Sequence, residues 1–239
     1  MLPGPIATFF QPIVEATDSG VSLHAVECLT RGPRGTDIEE ATPLFEYVRR
    51  NGLEGEMDCA CAQNALHTIM CNSDARIAIN VHPNTLGERR DFVRLLIRQS
   101  VACNVDPSRL IVEIGEQAPA TNPRAFRRAV GALRQHGVSI AIDDVGHGYA
   151  NYKSIMDCNP DYLKIDRYFV QRASDDPSRR AVVKSICALG EHFGAAVIAE
   201  GVETARDRDA LRAMGIKLFQ GFLYGRPTQS AAFEAALEV

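Results

Sequence analysis

A series of short apolar runs in this chain each ends on a group that could hold a cation or handle a proton. Glu27 follows Leu23-His24-Ala25-Val26, Asn80 follows Ile77-Ala78-Ile79, and Glu113 follows Leu110-Ile111-Val112 with Glu116 just beyond. Asp143 and Asp144 follow Ser139-Ile140-Ala141-Ile142, and Lys164 lies within Tyr162-Leu163-Lys164-Ile165 ahead of Asp166. Glu200 closes the run 195–199 with Glu203 three residues on, and Gln220 follows Leu218-Phe219. Carboxylates gathered in one place repel one another unless cations neutralise them. Oxygen donors with one amide and no His or Cys suit hard cations such as Mg²⁺ or Mn²⁺. The adjacent pair Asp143-Asp144 suits two ions, because one carboxylate can bridge while its neighbour binds the second. Two ions about 3.5–4 Å apart serve in-line displacement at phosphorus. Lys164 adds a positive charge for phosphate oxygens or an attacking water. Taken singly, each residue has a structural explanation. Asp143-Asp144 could cap a helix, Glu200 and Glu203 could cap one starting near Thr204, and Lys164 could pair with Asp166. Those explanations leave out the position that all of them share.

The elements that must position these groups alternate. Apolar runs at 7–14, 21–29, 77–81, 110–114, 139–142, 162–165, 195–199 and 218–223 are separated by helix-length amphipathic stretches. The helices are expected at 43–71 in two pieces, 87–103, 123–136, 178–193, 205–214 and 230–237. Continuous apolar strands alternating with helices predict an α/β fold with a parallel sheet covered on its outer face. Eight strands in one chain favour closure into a (β/α)8 barrel of the TIM type over a doubly wound sheet. Active sites of such barrels lie at the carboxyl ends of the strands, where every residue named above falls. One junction departs from the pattern. Only six residues, Glu15 to Gly20, separate the first two runs, too few for a parallel crossover, which needs about a dozen. The first strand is therefore expected to pair antiparallel in a hairpin.

Size and composition agree with a single domain over 1–239, since barrels of this type occupy about 200–250 residues. A net charge of −4 gives no general attraction for nucleic acid or an anionic membrane, so duplex nucleic acid is not an expected partner. No run of about 18 apolar residues predicts a membrane span, and Met1-Leu2-Pro3-Gly4-Pro5 lacks the features of a secretory signal. Seven cysteines without a zinc-type spacing read as reduced thiols. Together these predict a cytoplasmic location, either as a free-standing protein or as the cytosolic domain of a larger signalling protein.

The motifs resemble one family. Glu27-Cys28-Leu29-Thr30-Arg31 is similar to the signature of EAL domains, the bacterial phosphodiesterases of cyclic di-GMP. Phe10-Gln11-Pro12-Ile13-Val14, Asn80-Val81-His82-Pro83, Glu113-Ile114-Gly115-Glu116, Asp143-Asp144-Val145-Gly146-His147-Gly148-Tyr149 and Lys164-Ile165-Asp166 follow in the family's order. Ala199-Glu200-Gly201-Val202-Glu203-Thr204 and Gln220-Gly221-Phe222-Leu223 complete the set. The resemblance implies a modified barrel with its first strand antiparallel, and hydrolysis of cyclic di-GMP to linear 5′-pGpG with two Mg²⁺ or Mn²⁺ ions. It implies that Glu27, Asn80, Glu113 and Asp143 hold one metal and that Asp143, Asp144 and Glu200 surround the other. Lys164 would contact the attacking water, activated by Glu200 or the metals. Gln11, Leu29 and Arg31 would touch the dinucleotide, with Arg31 on a phosphate. Gln220 and Glu203 would orient waters and ligands, with Asp166 nearby. Glu116 would anchor the loop 145–151, which in this family links metal occupancy to a homodimer contact.

The chain departs from the family pattern in a few places. Cys28 replaces an alanine and is expected to point away from the metals. His82 replaces a serine, and the loop carries Val145, His147 and Ala150-Asn151 where a Phe, a small residue and a Ser pair are usual. The loop changes bear on turnover and regulation and leave open a catalytically weak or inactive receptor module for cyclic di-GMP. A Schiff-base aldolase built on Lys164 is disfavoured, because crowded acids keep its amine protonated.

Overall fold

A computed structural model describes residues 2–18, 20–69, 75–115, 120–146 and 152–229. Eight strands close into a barrel in chain order. They are β1 (Ala7–Thr17), β2 (Gly20–Arg31), β3 (Arg76–Val81), β4 (Leu110–Gly115), β5 (Ser139–Val145), β6 (Tyr162–Ile165), β7 (Ala196–Ala199) and β8 (Leu218–Gln220). Strand β1 pairs antiparallel with both β2 and β8, and every other neighbour is parallel. The expected hairpin is present, and it leaves one strand running against seven.

Side chains on a strand alternate between faces with period two, and that period builds the interior in layers. One apolar residue from each strand fills the barrel: Ile13, Ala25, Ala78, Ile111, Ala141, Tyr162, Ile198 and Leu218. Two residues further along each parallel strand stand Glu27, Asn80, Glu113, Asp143, Lys164, Glu200 and Gln220. Strand β1 runs the other way, so its polar residue, Gln11, lies two residues before Ile13. The intervening residues face outward into a separate core beneath the helices, among them Val26, Ile79, Val112, Ile142, Leu163 and Phe219. Cys28 belongs to that outer core, pointing away from Glu27 as expected. The register of β1 against β2 shifts between Ile13 and Val14, leaving His24 as the extra residue. Its Nε2 meets the Tyr162 hydroxyl 3.2 Å away, next to the apolar layer.

Outside the barrel lie α1 (Ala41–Arg50), α2 (Glu54–Thr68), α3 (Pro83–Glu88), α4 (Phe92–Ala102), α5 (Pro123–Gln135), α6 (Tyr152–Cys158), α7 (Arg167–Val170), α8 (Pro177–Phe193) and α9 (Ala205–Arg212). The single helix expected over 87–103 is two. Pro83 at the first helical position, capped by His82 Nδ1 accepting from Asn84 N–H at 3.2 Å, starts α3 early. Extended backbone at Arg89 then separates it from α4. Helices α6 and α7 were not foreseen, being too short to show a periodicity. The eighth strand stops at Gln220, short of the run 218–223, because Gly221 turns the chain at φ +155°. The helix expected at 230–237 lies outside the described residues. None of the described helices is long and apolar enough to cross a membrane, and the described cysteines are free thiols.

The segment after Asn80 is tied down by a buried carboxyl. Asp58 on α2 accepts from His82 N–H at 2.8 Å and from the Thr85 hydroxyl at 2.5 Å. Burial raises its pKa to about 7, more than these hydrogen bonds lower it. Its ordinary value is 3.8, so the folded state keeps a proton that the unfolded chain releases. Its contribution to stability therefore falls as pH rises from about 4 to about 7 and stays low above that. Asp58→Asn, which mimics the protonated acid, is expected to gain about 2 kcal/mol on the wild type between pH 5 and pH 8 in urea denaturation. A difference independent of pH would contradict it.

Candidate active site

The polar layer converges on one ammonium group. Lys164 is fully buried, and its Nζ lies 2.7 Å from Glu113 Oε2, 2.7 Å from Glu200 Oε1, 3.0 Å from Asp143 Oδ1 and 3.3 Å from Glu27 Oε2. Four strands besides its own supply those acids, so Lys164 does not pair with Asp166. Asp166 instead caps α7, accepting from Tyr168 N–H at 2.7 Å. Glu27 is held further by Asn80 Nδ2 at 2.8 Å and Gln220 Nε2 at 2.7 Å. Gln220 also reaches Gln11 Oε1 at 3.3 Å, and Gln11 donates to the Gly225 carbonyl at 3.1 Å.

Asp143 and Asp144 are neighbours, so a regular strand would point them to opposite faces. The pairing of β5 with β6 slips between Ile142 and Val145, and Asp144 adopts φ +56°, a left-handed conformation that Asp tolerates better than most residues. This bulge turns both carboxylates into the mouth and returns Val145 to the outer core. The helix that Glu200 and Glu203 might have capped is capped by Thr204, whose Oγ1 accepts from Asp207 N–H at 3.1 Å. Glu200 is thereby left to the site. After it the chain turns at Gly201, φ +66°, where a Cβ would lie 2.4 Å from the Arg167 Cβ.

Two groups of acids result. One ligand atom each from Glu27, Glu113 and Asp143 lie within 4.8 Å of one another, and the same holds for Asp143, Asp144 and Glu200. Asp143 is common to both. Burial first, then the charge of Glu27, pushes the Glu113 carboxyl well above its usual range. Burial raises Glu200 likewise, against the opposing charge of Lys164. Burial pushes Glu27 up too, but Lys164 with the Gln220 and Asn80 hydrogen bonds outweighs it and the net shift is downward. Burial alone would lower the Lys164 ammonium; Asp143, Glu113, Glu200 and Glu27 overcome this and raise it. The donor chemistry fits hard divalent cations. Glu113 Oε1 is buried with no hydrogen-bond partner among the described residues, which leaves a lone pair for a cation. Five carboxylates against one ammonium also leave an excess of four negative charges when all are ionised, which two divalent cations would balance.

Of the other residues singled out by sequence, Arg31 donates to the Thr30 carbonyl at 3.1 Å and stands 3.6 Å from Glu40 and 5.5 Å from the Phe9 ring centre. It lines an open cleft of about 890 Å³ together with Phe9, Arg34, Glu39, Phe222 and Arg226. Leu29 lines a smaller cavity of about 70 Å³ beside Arg31 and Asn80. Glu203 is exposed and accepts from Gln171 Nε2 at 3.1 Å. Glu116, His147, Ala150 and Asn151 lie outside the described residues. The sequence reading missed Phe222 and Arg226 as cleft residues. The Arg226 guanidinium stacks 4.1 Å from the Phe222 ring centre, in a turn where sequence spacing gives no signal of the contact.

A family model described as "EAL domain" matches residues 4–227. The chain belongs to the EAL domain family. This EAL chain is 34% identical over 228 residues to PdeA of Escherichia coli (strain K12), named a probable cyclic di-GMP phosphodiesterase, covering 94% of this chain and 31% of that protein. It spans about a third of the length of the curated relatives it matches first. A solved calcium and cyclic di-GMP complex of Klebsiella pneumoniae BlrP1 superposes with a TM-score of 0.83 at 30% identity, over 94% of this chain and 56% of that one. A cyclic di-GMP complex of the PaMucR phosphodiesterase gives 0.82 at 27% identity, over 94% and 97%.

Two measurements probe the EAL site without turnover. Lys164→Met removes the ammonium that stands among four carboxylates. It is expected to cost the metal-free protein roughly 3 kcal/mol and to increase the thermal stabilisation given by Mn²⁺; an unchanged metal-free melting temperature would contradict the arrangement. Because burial biases Glu113 and Glu200 toward their protonated forms, Mn²⁺ titration into weakly buffered protein is expected to release protons, and affinity is expected to fall as pH falls. Calorimetry in buffers of different ionisation enthalpy reads the proton count, and zero release would refute the assignment.

Proposed function

We propose that this chain hydrolyses cyclic di-GMP to linear 5′-pGpG by in-line attack of water on one phosphodiester, with two divalent cations held by the acid layer. The observation that carries this reading is Asp143, shared between two groups of acids arrayed around Lys164. Glu27, Asn80, Glu113 and Asp143 would hold one cation, and Asp143, Asp144 and Glu200 the other. When bound, the cations supply Lewis-acid polarisation of the phosphodiester and acidify water at the site.

The chain's own groups do the rest. Lys164, fixed by its strand and unable to reach solvent, orients the attacking water and faces the negative charge that grows on the phosphoryl oxygens. Glu200, whose carboxylate burial makes more basic, would take the water's proton in its ionised form. Attack forms one P–O bond and breaks the bond to the 3′ oxygen, leaving a 5′ phosphate on the linear product. The Arg31 fork suits a phosphate, and the cleft flanked by Phe9, Phe222 and Arg226 suits a guanine, since aromatic and guanidinium planes stack on bases. The relatives named as cyclic di-GMP phosphodiesterases, and the complexes of BlrP1 with that dinucleotide and calcium or manganese, support the choice of substrate and cofactor. The complete acid set gives no support to a receptor that binds without cleaving.

Incubation with cyclic di-GMP and Mn²⁺ or Mg²⁺ is expected to yield linear dinucleotide by ion-exchange chromatography and mass spectrometry, and none in excess chelator. Asp143→Asn is expected to reduce turnover by at least about 100-fold and to lower the number of metal ions bound. Folded protein that gives no product in saturating metal, or an Asp143→Asn variant of full activity, would overturn the proposal.

A further inference from the structure

Charge is segregated on the outside of the barrel. Helices α4 and α5 pack side by side and together contain Arg94, Arg98, Arg124, Arg127, Arg128 and Arg134, with no acid in either. Removing those six positive charges leaves the rest of a −4 chain at −10. The first five are exposed; Arg134 is turned aside to Asp161, at 3.2 Å. Arg127 meets Asp157 at 3.1 Å, while Arg94, Arg98, Arg124 and Arg128 have no ion pair among the described residues. The acids bordering the patch are already engaged, Asp91 with Arg89 at 3.3 Å and Glu88 with the Thr121 hydroxyl at 2.5 Å.

This placement works against the helices themselves. Arg94 with Arg98, and Arg124 with Arg128, are like charges one turn apart, which repel. Arg124 also stands in the first turn of α5, where the helix dipole disfavours a cation and no acid compensates. The packed inner faces, Phe92 and Leu96 on α4 and Phe126, Val130 and Leu133 on α5, hold the helices in place regardless.

We propose that the α4–α5 face docks on the phosphate headgroups of an anionic bilayer. All the exposed cations are arginines, whose planar fork matches phosphate oxygens, and clusters of four to eight basic residues on a helix surface suffice for anionic lipid. A specific protein interface would need a desolvated apolar or aromatic centre; here Val101, 60% exposed, is the one large exposed apolar side chain on the two helices. The two helices themselves expose no aromatic ring for nucleic-acid bases to stack on. The −10 remainder is repelled by the same surface, so docking selects one orientation. The catalytic mouth lies at the end of the barrel and stays open to solution.

Vesicle flotation with the whole chain tests this. Vesicles containing phosphatidylglycerol are expected to carry the protein at low salt and vesicles of phosphatidylcholine alone to leave it behind, with binding weakening as salt rises. Changing Arg94, Arg98, Arg124 and Arg128 together to Gln is expected to weaken binding about a thousandfold, at about 1 kcal/mol per arginine, with circular dichroism unchanged. The matched variant with Arg49, Arg50, Lys184 and Lys217 changed to Gln is expected to bind like the wild type. The proposal is overturned by absent binding to phosphatidylglycerol, by equal losses in both variants, or by retention on duplex DNA or an acidic protein matrix in place of vesicles.

Discussion

The fold of this chain is organised around an electrostatic problem that its sheet creates and one side chain contains. Closing a barrel brings the ends of all its strands together, and five of the groups delivered there are carboxylates. Acids at such distances resist ionising together, and burial pushes Glu113 and Glu200 well above the usual carboxylate range. Lys164 stands at the centre, 2.7–3.3 Å from four of them. It balances only part of their charge. What remains is a demand for positive charge that fixes the chemistry the mouth can host, and hard divalent ions meet it with the available oxygen donors. The proposed phosphodiester cleavage uses that same demand, because a cation bound for electrostatic reasons is also a Lewis acid.

Stability and chemistry are divided between layers two residues apart. The ring from Ile13 to Leu218 is closed and apolar, and gives the barrel its floor. The ring above it is wholly polar. Nothing intermediate separates them, so each strand carries one residue for packing and the next inward residue for the site. By strand order, small Ala25 and Ala78 stand across the floor from larger Tyr162 and Ile198, and the acids stand directly above this packed layer. A change in the floor would therefore move the acids, although it touches none of them.

Much of this was legible in the sequence because strand ends are a positional signal: apolar runs terminating on Glu27, Asn80, Glu113 and Glu200 mark both the element and the site. The hairpin was legible from the shortness of residues 15–20. Other features depend on geometry with no compositional mark. Two adjacent acids do not disclose that Asp144 enters the left-handed region to bring both side chains inward. The separation of α3 from α4 turned on extended backbone at Arg89 inside a plausible amphipathic stretch. Lys164 offered two partners by sequence, and only the closed barrel decides between Asp166 next door and acids from four distant strands. The cleft residues Phe222 and Arg226 lie in an irregular turn after β8, where no periodicity marks their contact.

The reversed direction of β1 reaches beyond the sheet. In a barrel of uniformly parallel strands the chain enters at the floor, opposite the catalytic end. Here Ala7 pairs with Arg31 at the open end of β2, and Pro5 and Ile6 border the same cleft as Arg31. Any segment joined ahead of β1 thus arrives beside the substrate opening. A rotation or tug transmitted through that junction would reach Gln11, and through Gln220 and Glu27 the acid layer, by a path of hydrogen-bonded side chains only a few residues long.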